Sequence, residues 1–230
     1  MSETISDNKQ NVEPIVSSAG INRRLFIAAA SLALALLVGF LFSRYTAYRN
    51  VEESFYGQAL VPAQEAFDFR LVDQDGNSFR LSQLRGKVVL FSFGFTHCPN
   101  VCPTTLSDLA KVYHALPERD RERVQVLFVS VDPRRDRPDV MKKYVPYFDQ
   151  SFVGLTGSEP QIAEAAKAYG AFYEIARDPA ERPENYSVNH SAFIYLISPS
   201  GKWKLIYNFD QLRDAKKMVQ DIEQVLGERS

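Results

Sequence analysis

The apolar run Val88-Val89-Leu90-Phe91-Ser92-Phe93 constrains this chain most. It is β-branched, aromatic and unbroken, the pattern of a strand buried on both faces. The period then changes: Leu106, Leu109, Ala110, Val112, Tyr113 and Leu116 fall on one face of a helix. Pro103 suits the first helical turn, where its missing N–H is no loss, and Pro117 ends the element. A solvated stretch from Glu118 to Arg123 leads to Val124-Gln125-Val126-Leu127-Phe128-Val129-Ser130-Val131, a second buried strand. Strand, helix and strand of these lengths make a βαβ unit, with parallel neighbours and a right-handed crossover.

The flanking segments extend this unit. Phe67 to Val72 and Phe79 to Leu81 bracket the turn Asp73-Gln74-Asp75-Gly76-Asn77, a small hairpin. Pro138 to Phe148 predicts a helix, interrupted by Pro146, and Phe152 to Leu155 a short strand. Ser158-Glu159-Pro160 starts another helix, whose buried side carries Ile162, Ala163, Ala166 and Tyr169. Residues 171–189, rich in proline and charge, read as loop. Ser191 to Ile197 and Trp203 to Tyr207 form a hairpin about Pro199-Ser200-Gly201. An amphipathic helix from Leu212 closes the chain at Gly227. The order predicts an α/β fold, a thioredoxin-like central sheet flanked by helices, over residues 65–230.

The amino-terminal third is different. Residues 1–24 read as a polar tail. Residues 25–42 are 18 in a row without a charge. As a helix they rise about 27 Å, near the thickness of a bilayer core. The expectation is one transmembrane anchor, then a tether over residues 43–64. An uncleaved anchor leaves the tail in the cytoplasm and the domain on the outer, periplasmic side of a bacterial cytoplasmic membrane. The 27 basic and 28 acidic residues balance to a net charge of −1, without the basic footprint of a nucleic-acid binder. Two cysteines cannot staple a domain of this size, so both thiols are free for chemistry.

Both thiols lie in Gly94-Phe95-Thr96-His97-Cys98-Pro99-Asn100-Val101-Cys102-Pro103, between buried strand and helix. Helix amino termini favour thiolate, which predicts lowered pKa values for Cys98 and Cys102 alike. Two thiolates at Cys-x-x-x-Cys spacing form a soft clamp for Cu(I), zinc or iron–sulfur iron. Closed zinc sites and iron–sulfur clusters need four ligands. Two cysteines and three histidines fit a three-coordinate Cu(I) site best. His114 falls on the helix, away from its start. His97 adjoins Cys98, where neighbouring side chains diverge; tuning the site or meeting a partner suits it better than ligation. His190 precedes the strand 191–197, on the loop that faces the cysteine loop in a thioredoxin-like fold. It can turn its imidazole to the thiolates, or stand as a loop histidine without a ligand. Asp132, at the end of the second strand, orients a site residue or simply forms a turn before Pro133. Arg134, Arg135 and Arg137 read as a solvated basic loop.

Taken together, the cysteine stretch, Ser130-Val131-Asp132-Pro133, Gly154-Leu155-Thr156-Gly157, Val188-Asn189-His190 and Tyr195-Leu196-Ile197-Ser198-Pro199-Ser200-Gly201 resemble the SCO/SenC family. Its members are membrane-anchored, thioredoxin-like copper chaperones of cytochrome c oxidase assembly. The resemblance covers roughly residues 65–226. It implies copper, as Cu(I) or Cu(II), bound by Cys98, Cys102 and His190. It also implies a copper donor protein as one partner and the copper-centre subunit of the oxidase as another. Copper is delivered to that subunit's binuclear centre, or the centre's cysteines are reduced. Asn100 and Asn189 stand where the family commonly has aspartate, and each removes a negative charge near the metal. The rival reading is an enzyme, a thiol–disulfide oxidoreductase or a peroxide-handling relative, with Cys98 as nucleophile and Cys102 as resolving thiol.

Overall fold

In the computed structural model the described residues are 19–177 and 186–228. The chain divides into two units, residues 1–48 and 49–230. Helix α1 (Ala19–Glu53) forms the described part of the first unit and ends within the second. Of the expected polar tail, residues 1–18 lie outside the described residues and 19–24 belong to α1. Within α1, the 24 residues Arg23–Thr46 are long and apolar enough to cross a membrane. Leucines and phenylalanines such as Leu25, Phe26, Leu36 and Phe40 are exposed on all sides of it.

The second unit is built on an eight-stranded mixed sheet. Its strands are β1 (Gln58–Glu65), β2 (Arg70–Asp73), β3 (Ser78–Arg80), β4 (Val88–Gly94), β5 (Val124–Ser130) and β6 (Val153–Thr156). Two-stranded β7 (Tyr173–Arg177) and β8 (Tyr186–His190) stand apart, and β9 (Ile194–Ile197) and β10 (Lys202–Tyr207) complete the sheet. The spatial order is β1-β10-β9-β4-β5-β6-β2-β3. Strands β4, β5 and β6 run parallel, while β9 lies antiparallel to β4. Every residue of β4 is buried, as its unbroken apolar run requires. Helices α2 (Val101–Ala115), α3 (Glu118–Arg121), α4 (Pro138–Tyr144), α5 (Glu159–Ala168) and α6 (Ala215–Gly227) join and flank the strands. Leu106, Leu109 and Val112 of α2 and Met218, Ile222 and Val225 of α6 are fully buried, the helical spacing that the sequence displays. The βαβ unit and the thioredoxin-like architecture are as the sequence predicts.

Two segments differ. The stretch 43–64, expected as a tether, contains the last turns of α1 and most of β1, which pairs with β10. The strand escapes detection because it lies at the sheet's edge, where Pro62 is tolerated and only one side packs. Residues 171–189, expected as loop, contain the hairpin β7–β8. Only Val188 of β8 is buried, so no apolar run announces the strand.

Candidate metal centre

The cysteine loop leaves the carboxyl end of β4, the edge where sites collect in parallel sheets. Its base is anchored by Val131 N–H, which donates to the Gly94 carbonyl at 2.8 Å. Gly94 is required there. A Cβ would lie 2.7 Å from Cys102 Sγ and 2.6 Å from the Phe128 ring, closer than real Cβ atoms come. The missing side chain lets the first turn of α2 press Cys102 against the strand, where it is 2 % exposed. Cys98 lies outside the helix and is half-buried.

A buried carboxylate shapes the loop from below. Asp136, with no exposure, accepts from Thr96 N–H at 2.9 Å, Thr96 O–H at 2.6 Å and Ser130 O–H at 2.6 Å. Burial pushes its carboxyl pKa up, and those three donors oppose the shift. Thr96 is thereby tied across the carboxyl ends of β4 and β5, and the turn from Phe95 to Cys98 is fixed. The sequence gives no sign of this role for Asp136, which reads as one more charge in an arginine-rich loop.

The third component arrives on β8. Strand alternation puts Tyr186, Val188 and His190 on its inner face. His190 Nε2 lies 3.3 Å from Cys102 Sγ, and its ring meets Phe95 edge to face at 5.7 Å. His190 Nδ1 lies 3.0 Å from the Ser191 carbonyl oxygen. A carbonyl only accepts, so Nδ1 carries the proton and Nε2 turns a lone pair toward the thiols. Cys98 Sγ, Cys102 Sγ and the histidine nitrogen lie within 4.8 Å of one another, the one such cluster found among the described residues. His190 closes the second strand of a hairpin rather than preceding a strand beginning at Ser191.

The two thiols are unequal, against the expectation that both are acidified. Cys98 is lowered to about 4, first by the Cys102 thiol that donates to it, then by the backbone N–H groups of Cys102 and Asn100 and by His190. Cys102 is pushed up by the adjoining Cys98 sulfur and by its burial. One negative charge is stable in this space and a second is not, because like charges at contact disfavour double ionisation. In the metal-free pair the thiolate is favoured on Cys98, whose sulfur accepts from Cys102 N–H at 3.5 Å, and the proton on Cys102.

The other histidines stand apart. His114 on α2 faces Asp149, 2.8 Å away. His97 is 54 % exposed beside Cys98; its Nδ1 lies 3.0 Å from Thr96 Oγ1 and 3.8 Å from Asp136 Oδ1. Neither belongs to the three-atom cluster. Asn100 precedes α2 and is exposed; Asn189 is exposed on the outer face of β8. Asp132 is fully buried, and it accepts from Tyr186 O–H at 2.6 Å and from Arg135 Nε. Of the three arginines expected in solvent, Arg134 and Arg137 pair with Glu159 and Asp139 at the surface, while Arg135 is drawn inward.

The SCO1/SenC family model matches residues 58–227, nearly the whole second unit. This chain belongs to the SCO1/SenC family. The mitochondrial SCO2 protein of Saccharomyces cerevisiae is 34 % identical over 200 residues, which is 84 % of this chain and 66 % of the yeast protein. The chain spans about two thirds of the length of the curated SCO relatives it matches, 65 % for an SCO2-like protein of Rickettsia felis. The solution structure of apo Sco1 from Thermus thermophilus is 42 % identical at a TM-score of 0.68, covering 74 % of this chain and 96 % of that one. Copper-bound ScoI of Arabidopsis thaliana is 34 % identical at a TM-score of 0.61, covering 69 % and 98 %. These SCO1/SenC structures share the thioredoxin-like sheet described above.

Proposed function

We propose that Cys98, Cys102 and His190 hold one copper ion as cargo, and that the chain delivers it to the binuclear copper centre of cytochrome c oxidase during assembly. The observation that carries this reading is the convergence of two sulfurs and one imidazole nitrogen within 4.8 Å. The donors suit the ion. Thiolates select soft Cu(I), and three ligands satisfy it. The Cys98 sulfur is the more acidic of the pair, Cys102 would lose its proton to solvent as its sulfur takes the metal, and the His190 lone pair is directed by Ser191. Copper-bound family members at 34 % identity support the same cargo. Half-exposed Cys98 gives an acceptor's thiols a point of attack, while buried Cys102 holds the ion from behind. Helix α1 anchors the chain through residues 25–42, with the domain on the outer face of a bacterial cytoplasmic membrane.

Reduction of the acceptor's cysteines is a second reading, favoured by the inequality of the two thiols. An accessible thiolate with a low pKa attacks a disulfide, and a buried neighbour then resolves the mixed disulfide. The experiment is to mix the anaerobic Cu(I)-loaded chain with the reduced, metal-free copper-centre domain, and the metal-free dithiol chain with the oxidised domain. Delivery predicts copper on the domain in the first mixture and little thiol formed in the second. Rapid thiol formation in the second with no copper transfer in the first overturns it in favour of the reductase.

A further inference from the structure

The hairpin that carries His190 shares no backbone ladder with the eight-stranded sheet. Val188 packs into the core from the middle of β8, with Tyr173 and Ile175 of β7 and the Tyr186 ring partly buried beside it, but apolar contacts do not fix direction. Three polar side chains supply the direction. Asp132 is a fully buried point just past the end of β5, its N–H donating to Ser130 Oγ at 3.0 Å. Its Oδ1 accepts from Tyr186 O–H at 2.6 Å and its Oδ2 from Arg135 Nε. Arg135 Nη1 in turn donates to the Tyr186 carbonyl at 2.9 Å, and its guanidinium lies 3.7 Å over the Tyr186 ring. The same guanidinium is 5.7 Å from the Phe95 ring, against which the His190 imidazole rests at 5.7 Å.

We propose that Asp132, Arg135 and Tyr186 form a clasp that positions His190, and so decide whether the copper has a third ligand or only its two sulfurs. The inference rests on the copper reading above. Tyr186 and His190 are the first and last inward residues of β8, so fixing the one fixes the direction of the other. Arg135 touches both the strand that carries the imidazole and the aromatic that supports it. A planar fork is needed to reach a carboxylate, a carbonyl and two rings at once; an ammonium reaches one of them. Each of the three is a positioning residue, with no part in holding the metal itself.

The test uses the full chain in detergent, loaded anaerobically with one equivalent of Cu(I). Copper K-edge X-ray absorption counts sulfur and nitrogen neighbours, and amide hydrogen exchange follows residues 187–190 in the metal-free protein. Wild type is expected to show two sulfurs and one nitrogen. Arg135→Lys keeps the positive charge beside Asp132, yet should lose the nitrogen as His190→Ala does. Its Cu(I) affinity should fall about 10-fold, the lower end of effects from residues that orient ligands. Exchange over 187–190 should quicken while circular dichroism is unchanged. Tyr186→Phe retains the ring and the carbonyl bond but loses the bond to Asp132, so an intermediate loss is expected. That variant decides the matter if Arg135→Lys does not fold. Retention of the nitrogen, the affinity and the slow exchange in the folded variants overturns the clasp. A wild type without copper-bound nitrogen overturns the site reading instead, and hydrogen exchange in the metal-free chain then still judges the clasp.

Discussion

The cysteine loop and the histidine hairpin meet at one point but are held there by different physics. The loop grows out of β4, whose seven residues are all buried, and it is tied down by Asp136, Ser130 and the Gly94 backbone. The hairpin stands outside the main sheet and meets the core through buried Val188, partly buried Tyr173, Ile175 and Tyr186, and a handful of polar contacts. Two sulfurs are thus fixed by the core, and one nitrogen by an appendage whose stability is set locally. On the delivery reading proposed above, a chain that grips an ion and then releases it gains from this division. On that reading the sulfurs would keep the cargo while the nitrogen is the ligand most easily withdrawn.

The largest expected effect concerns the loop in its metal-free state. Alkylation of Cys98 should rise with pH through a midpoint of about 4 and be flat to neutrality, because the thiolate reacts and its proton is lost early. An ordinary thiol would rise near 8.5. Cys102, buried and pushed the other way, should stay unmodified throughout. Peptide mapping after timed iodoacetamide pulses from pH 3 to 8 reads both. Equal labelling, or a midpoint near 8.5, would erase the distinction between the thiols.

Next in size is Gly94→Ala, which strikes the loop without touching the hairpin. The added Cβ meets Cys102 Sγ and the Phe128 ring. Overpacking of this kind costs about 1–3 kcal/mol. Urea unfolding should show that loss, and Cu(I) affinity should fall because Cys102 is displaced. Unchanged stability and affinity would mean that α2 does not press on the strand as described. The smallest effect belongs to a histidine in neither region. His114→Ala removes a pairing between an exposed imidazole and a largely covered Asp149 and should cost about 1 kcal/mol in unfolding experiments, with copper binding untouched.

The same contrast governs how much of the molecule was legible in the sequence. Strands β4 and β5 are buried on both faces and helices α2 and α6 have strong apolar stripes, so pattern alone places them. The hairpin escapes because its strands are half-exposed and flanked by charge, and β1 because an edge strand packs on one side. Cys98 and Cys102 stand out as the chain's only cysteines. His190 could be named from topology, though as a loop residue rather than the end of a strand. Arg135 and Asp136 stay hidden between Arg134 and Arg137, since three arginines and an aspartate in a row read as solvent-facing. The spacing of Asp132 and Arg135, three residues apart, was the one local sign of an ion pair there.

The central claim is that two sulfurs and one nitrogen make a single copper site, with the sulfurs dominant. An anaerobic Cu(I) titration against a competing chelator tests it most directly, on wild type, Cys98→Ala, Cys102→Ala and His190→Ala. The account predicts one tightly held copper per chain in wild type, lost with either cysteine, and weakened about 10–100-fold without His190. Tight binding that survives the loss of Cys98 or Cys102, or that is indifferent to His190, would contradict it.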